Sequence, residues 1–193
     1  MKNVAVLVSG GGTNLQALID AERSGVITSG KITLVLSNKE GAYALTRAQN
    51  AGIKAHAVVE KDPDLLCKKL LAELEKAKID VVVLAGFLAI LTPEFVSAYE
   101  RRIINIHPAL LPKYGGKGYY GLHVHRAVLA AGERVSGATV HFVTAGVDQG
   151  EIIAQKEVAV LEGDTPESLQ QRIMEEAEWI LLPRATEELC QSL

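Results

Sequence analysis

Val4-Ala5-Val6-Leu7-Val8-Ser9-Gly10-Gly11-Gly12-Thr13-Asn14-Leu15 decides the fold. The unbroken apolar run Val4–Val8 reads as a strand buried on both faces, the state of parallel strands in α/β proteins. The glycines then turn the chain, and a helix is predicted from about Asn14 to Arg23. The same turn is the first chemical signal. A helix begins with N–H groups that lack intrahelical partners, and its dipole favours negative charge, so a phosphate fits there. Thr13 and Asn14 add side-chain donors. The turn is not a Walker A loop, because no Gly-Lys-Ser/Thr follows, and Leu15 stands where GxGxxG would end in glycine. A tight strand-to-helix turn without a ligand is the alternative reading.

Outward from this unit, the pattern repeats. Strands are predicted at Ile32–Leu36, Ala55–Val59, Val81–Ala85 and Ile103–Ile106. Helices are predicted at Tyr43–Ala51, from Asp62-Pro63 to about Lys76, and from Thr92-Pro93, where a capping side chain precedes proline in the first turn. A further helix is expected at Val124–Ala131, and a last one from Thr165-Pro166 to Trp179 or beyond. Strands separated by helices imply parallel βαβ units in a doubly wound, mostly parallel, Rossmann-like sheet. Ala138–Val143 and Ile152–Val160 have no helix between them, so an antiparallel extension at the carboxyl-terminal end is expected. One domain over residues 1–193 follows. Residues 1 to about 100 would form a phosphate-binding half, and about 101–193 a catalytic half.

Composition narrows the function classes. The chain is 48% apolar and 22% charged with a net charge of −3, ordinary for a globular protein and giving no reason to expect nucleic acid or an acidic membrane as partner. Cys67 and Cys190 belong to no CxxC pattern, so neither a zinc site nor a disulfide framework is implied, and a cytoplasmic location is the default. No signal peptide is visible before the first strand, and no apolar run reaches membrane length. Small-molecule substrates are the expected partners, for a monomer or a homodimer, without a metal.

The second signal is Asn105-Ile106-His107-Pro108-Ala109-Leu110-Leu111-Pro112. Alternation puts Asn105 and His107 on one side of a strand, and Pro108, lacking an N–H, ends the ladder. An amide and an imidazole thus meet at a strand's carboxyl end, where open α/β sheets bind ligands. The pair suits holding the oxygen of a carbonyl under attack. A packed or capped histidine is the competing reading. The third signal, Asp148 within Gly146-Val147-Asp148-Gln149-Gly150, is by itself a turn residue. It gains meaning only if its loop folds over His107.

These segments together resemble the folate-dependent formyltransferases. Ser9–Gln16, Leu84-Ala85-Gly86-Phe87-Leu88, Asn105–Pro112, and Val140–Val143 through Asp148-Gln149-Gly150 follow the family's motif order nearly end to end. The glycine turn with Thr13 and Asn14 narrows the resemblance to members that formylate glycinamide ribonucleotide in purine synthesis, with 10-formyltetrahydrofolate as co-substrate. On this resemblance Gly12, Thr13 and Asn14 match the phosphate turn. Leu88, Ala89, Ile90 and Leu91 match the lining of the pteridine pocket, shared with Asn105. Asn105, His107 and Asp148 match the catalytic trio, and Glu178, five residues before Pro183, matches an acidic position near the substrate ribose. The trio would act on a tetrahedral intermediate. Asn105 and a protonated His107 would hold its oxyanion, and the Asp148 carboxylate would keep that imidazole charged.

Some features depart from the family pattern. Lys113–Gly121 is longer and richer in glycine than the usual link, and reads as a rim beside the site or as decoration. No arginine near Asp62–Leu66 matches the one often found near the folate tail, and Ala89 stands where some relatives carry arginine. His141, inside an apolar strand, reads as structural. His123 and His125 read as packing residues, with His125 able to hold the site loop, and His56 as a strand-edge residue. Methionyl-tRNA formyltransferases and formyltetrahydrofolate hydrolases share the Asn-x-His core. The first typically add a carboxyl-terminal tRNA-binding domain and the second an amino-terminal regulatory one, and neither is expected here. A catalytically silent phosphate-binding module is the alternative from another class.

Overall fold

The computed structural model describes residues 1–193. Its strands are β1 (Lys2–Val8), β2 (Gly30–Ser37), β3 (Lys54–Ala57), β4 (Val81–Leu84), β5 (Ile103–His107), β6 (Val135–Phe142) and β7 (Ile152–Ala159). The helices are α1 (Thr13–Ser24), α2 (Tyr43–Asn50), α3 (Pro63–Lys76), α4 (Pro93–Ala98), α5 (Leu122–Ala130), α6 (Pro166–Ile173) and α7 (Trp179–Ser192), with a π-helical turn at Met174–Glu178 joining the last two. One seven-stranded sheet runs in the order β3-β2-β1-β4-β5-β6-β7. The ladders from β3 to β5 are parallel, and β5–β6 and β6–β7 are antiparallel. The doubly wound sheet with an antiparallel extension is therefore present as expected.

Alternation along β1 builds both cores. Val4, Val6 and Val8 face a cluster that includes Leu15 and Leu18 of α1, Ala44 and Ala48 of α2, and Leu182 and Leu189 of α7. Ala5 and Leu7 face the opposite cluster, with Leu66, Leu70 and Leu74 of α3 and Phe95 of α4. Each fully buried Val or Leu contributes about 1.5–3 kcal/mol, so helices on both faces clamp the central strand. Helix starts follow the local chemistry. The side chains of Asp62 and Thr92 accept from Leu65 N and Phe95 N, and Thr165 forms a capping box with Ser168. In each case proline takes the first helical position, where its missing N–H costs nothing.

The carboxyl-terminal helix differs from the single helix expected. It passes through the π turn, and Pro183 lies buried inside α7. Glu178 closes the π turn, and such turns recur at functional positions. Because β1 sits between β2 and β4, chain order reverses beside it. The carboxyl ends of β1, β4 and β5 open onto that switch point, where α/β sheets hold ligands.

Candidate active site

A cavity of about 680 Å³ opens at these strand ends. Thr13, Asn14, Leu88, Ala89, Ile90, Leu91, Asn105, His107, Asp148 and Glu178 all line it. It draws on both halves of the chain, with Leu88–Leu91 from the first and Glu178 from the second. Gly12 lies behind the wall. It caps α1 in the left-handed region (φ 77°), and a Cβ there would stand 2.6 Å from Ala44 Cβ. Close approach of α2 thus demands glycine, and the free helix N-terminus is turned to the cavity.

The floor joins the glycine turn to the π turn. Asn14 Nδ2 donates to Glu178 Oε2 at 2.6 Å, across 164 residues of sequence, and Thr13 Oγ1 lies 3.6 Å from Met174 Sδ. Glu178 is buried, which pushes its carboxyl up to about 6, with the Asn14 donor opposing the rise. Asn14 Oδ1 is buried without a partner. Ser9 ties the turn to the Gly86–Leu91 segment. Its N–H donates to the Gly86 carbonyl at 3.1 Å, its hydroxyl donates to Asn38 Oδ1 at 2.6 Å, and the same oxygen accepts from Leu88 N at 2.9 Å. Leu88 and Ile90 are exposed there, while Leu91 is buried in the core on the α3 and α4 side.

Asn105, His107 and Asp148 converge. His107 Nδ1 lies 3.6 Å from Asp148 Oδ2, and His107 Nε2 lies 2.7 Å from the Tyr114 carbonyl. A carbonyl only accepts, so Nε2 carries a proton and Nδ1 is the nitrogen turned towards the carboxylate. The loop that brings Asp148 here is tight. Asp148 takes φ 54°, and a Cβ on Gly150 would collide with the Phe142 carbonyl.

The electrostatics correct one expectation. Burial pushes the His107 imidazole below its ordinary value. Asp148 and the Tyr114 carbonyl raise it, but by less than burial and neighbouring His141 lower it. The resting ring is therefore neutral at pH 7, whereas the sequence suggested a standing imidazolium. Desolvation, invisible in a motif, outweighs the carboxylate. Burial also pushes the Asp148 carboxyl up, yet His141, His107 and the Gly116 N–H together hold it below the usual range.

Two groups lie beyond the sequence reading. His141 was expected to be structural, and it is buried, but it also lines the cavity, with Nε2 3.4 Å from Asp148 Oδ1 and 3.2 Å from Asn105 Nδ2. Its signal was the register: Asn105 pairs with His141 across β5 and β6. The Lys113–Gly121 loop is a rim with direct contacts, since Tyr114 O meets His107 and Gly116 N donates to Asp148 Oδ2 at 2.9 Å. His125 is fully buried on α5 with neither ring nitrogen partnered, and burial lowers it to about 4. His123 packs edge-on against Tyr120, and His56 pairs with Glu73 on the edge strand β3. No cluster of His, Cys, Asp and Glu has the form of a metal site.

Residues 2–186 match the formyl transferase family, and the chain belongs to it. Within that class its relatives include phosphoribosylglycinamide formyltransferases and, at the lower identity of 26%, a formyltetrahydrofolate deformylase. It is 44% identical over 174 residues to phosphoribosylglycinamide formyltransferase of Escherichia coli K12, covering 89% of this chain and 79% of that one. It is 46% identical over 188 residues to the trifunctional purine biosynthetic protein adenosine-3 of Drosophila melanogaster, covering 95% of this chain but 14% of that protein. The crystal structure of glycinamide ribonucleotide transformylase 1 from Symbiobacterium toebii superposes with a TM-score of 0.93 at 40% identity, covering 100% of this chain and 89% of that one. The chain spans 61% or less of the length of three of the curated relatives that it matches.

Proposed function

We propose that this chain transfers the formyl group of 10-formyltetrahydrofolate to the amine of N1-(5-phospho-D-ribosyl)glycinamide, a step of de novo purine synthesis leading to IMP. The observation that carries the reading is the single cavity shared by the helix N-terminus at Thr13 and the Asn105, His107 and Asp148 side chains. A phosphate-binding module alone has no use for the second set.

Gly12, Thr13 and Asn14 would hold the acceptor's phosphate, and the Glu178 carboxylate would accept from its ribose hydroxyls. The apolar strip at Leu88–Leu91, with Leu88 and Ile90 exposed, would receive the pteridine, with Asn105 at its inner end. The two halves of the chain thus share both substrates. As the amine attacks the formyl carbon, the Asn105 amide supplies an N–H to the oxygen that becomes an oxyanion. Such donors act most strongly when they are fixed in advance. His107, neutral and with Nε2 committed to Tyr114, has its Nδ1 lone pair free to take the proton that the amine sheds. The imidazolium so formed stands beside Asp148, which stabilises it until the proton is passed to the departing N10 nitrogen. Neither a metal nor a covalent nucleophile enters this scheme.

The net charge of −3 and the unpaired, buried Cys67 and Cys190 support small-molecule partners and a reducing, cytoplasmic setting. A folate absorbance assay tests the reading. Formyl consumption that requires glycinamide ribonucleotide is expected. Acceptor-independent release of formate would assign a hydrolase instead, and no consumption in either case a silent binding module.

A further inference from the structure

Glu133 stands outside the cavity, in the turn between α5 and β6, yet it anchors the segment that holds the reacting groups. Tyr114 Oη donates to Glu133 Oε1 at 2.9 Å, and Lys113 Nζ donates to the same oxygen at 3.0 Å. Both donors hold the Glu133 carboxyl below its usual range. The peptide between these anchors and the site is strained and packed. Tyr114 takes φ 54°, and its ring sits edge-on to Tyr119. Gly115 has no room for a Cβ beside Leu111, and such an atom would also lie 3.4 Å from Asp148 Cβ. From this fixed peptide the Tyr114 carbonyl meets His107 Nε2, and the Gly116 N–H meets Asp148 Oδ2.

We propose that Glu133, acting through Tyr114, is a positioning residue for the formyl transfer: it pins the carbonyl that fixes His107 in its Nε2–H form, with Nδ1 towards Asp148. The proposal rests on the function given above. A non-glycine residue in the left-handed region is disfavoured and persists only when its surroundings hold it there. The Glu133 contact, the Tyr119 ring and packing against the core hold Tyr114, and Glu133 is the polar anchor among them. If they are released, the carbonyl drifts and the imidazole is free to carry its proton on Nδ1, where it cannot accept another.

The groups around His107 come from every element packed about it: Asp148 from the β6–β7 loop, His141 from β6, His125 from α5, whose own imidazole His107 lowers, and the Tyr114 carbonyl from the rim. Of these, Glu133 controls only the last. That carbonyl raises the His107 value, so loosening it moves the titration to lower pH.

Tyr114→Phe, Glu133→Ala and Glu133→Gln in the full chain test the proposal, each read by imidazole nitrogen NMR without substrates and by kcat against pH. In Tyr114→Phe and Glu133→Ala the Nε2–H tautomer should give way to a mixture. Their kcat should fall about tenfold to a hundredfold, as for remote losses of alignment, with the KM of both substrates little changed. The acid limb of the kcat profile should shift to lower pH. Glu133→Gln keeps an oxygen acceptor for the Tyr114 hydroxyl and should restore the tautomer. An unaltered tautomer and acid limb in Tyr114→Phe would overturn the proposal, whatever happens to stability. Should Glu133→Ala fail to fold, Tyr114→Phe decides alone. The tautomer is read without turnover, so failure of the wild-type chain to formylate glycinamide ribonucleotide would remove the proposed function and leave this readout intact.

Discussion

Asn105 on β5 and His141 on β6 face each other across the antiparallel ladder, with Asn105 Nδ2 3.2 Å from His141 Nε2. His141 Nδ1 lies 2.8 Å from the Phe142 carbonyl and must donate to it. Nε2 is left to meet the Asn105 amide, which is thereby oriented with one side towards His141 and the other free for the cavity. Asn105→Ala should therefore lower kcat about 100- to 1,000-fold, the usual effect of losing an oxyanion donor. His141→Ala, which leaves the amide free to turn over, should cost less. The double variant should be little worse than Asn105→Ala. Additive losses in kcat would show that His141 acts by another route.

Glu178 gives a prediction about stability. Its folded value of about 6 lies above the ordinary 4.5, so the folded state binds this proton more tightly than the unfolded one. The associated stability is complete below pH 4.5 and is lost as pH rises through 6. With each pKa unit worth 1.36 kcal/mol, the loss is about 2 kcal/mol. Glu178→Gln removes the buried charge. It should raise Tm by roughly 4–8 °C at pH 7.5, leave it unchanged near pH 4, and raise the KM of the ribose-bearing acceptor. Thermal unfolding at the two pH values checks the sign. A variant equally stabilised or destabilised at both would separate the effect from ionisation.

Much of this was legible in the chain because the signals are local. Valine-rich β1 reads as doubly buried, the proline-marked caps of α3, α4 and α6 sit where their residues put them, and the missing helix between β6 and β7 forecasts the antiparallel edge. What escaped depends on partners distant in sequence. Met174-Glu175-Glu176-Ala177-Glu178 contains good helix formers, and nothing local announces a π turn; its occurrence goes with the Glu178 contact to Asn14, 164 residues away. His141 looked like one more inward residue of an apolar strand until the register set it against Asn105. The Lys113–Gly121 loop offered glycines without direction, and only folding shows its backbone meeting His107 and Asp148.

The phosphate turn should separate folding from binding. Gly12→Ala places a Cβ against Ala44 and forces an ordinary residue to φ 77°, so a stability loss of about 1–3 kcal/mol is expected from the backbone alone. Thr13→Val keeps the shape of the first helical residue and removes its hydroxyl. It should raise the KM of the phosphorylated acceptor while leaving that of the folate, and Tm, close to wild type. An equal rise in both KM values would place the phosphate elsewhere.

Asp148 should act through His107. Its Oδ2 lies 3.6 Å from His107 Nδ1, and its own carboxyl is held below the usual range, so it is ionised throughout the working range. An ionised carboxylate favours the charged imidazole and raises the His107 value. Burial already pushes that value down, and Asp148→Asn removes the main force opposing it. His107 in Asp148→Asn should therefore lose its proton at still lower pH. The acid limb of kcat, which needs the neutral imidazole as base, should move down with it. The plateau should fall at the same time, because the imidazolium formed during transfer has lost its counter-charge. On the other side, the acceptor amine must be neutral to attack, and an α-amino group titrates at about 7.7–8.0, so rates should still rise into that range in both proteins. His107→Ala should remove the acid limb altogether. The double variant should be little slower than the slower single one, because groups working as one unit are not additive. Measuring kcat against pH for the two singles and the double decides the matter. Independent, additive losses, or an acid limb unmoved by Asp148→Asn, would leave Asp148 only the task of holding the Gly116 N–H and shaping its own turn.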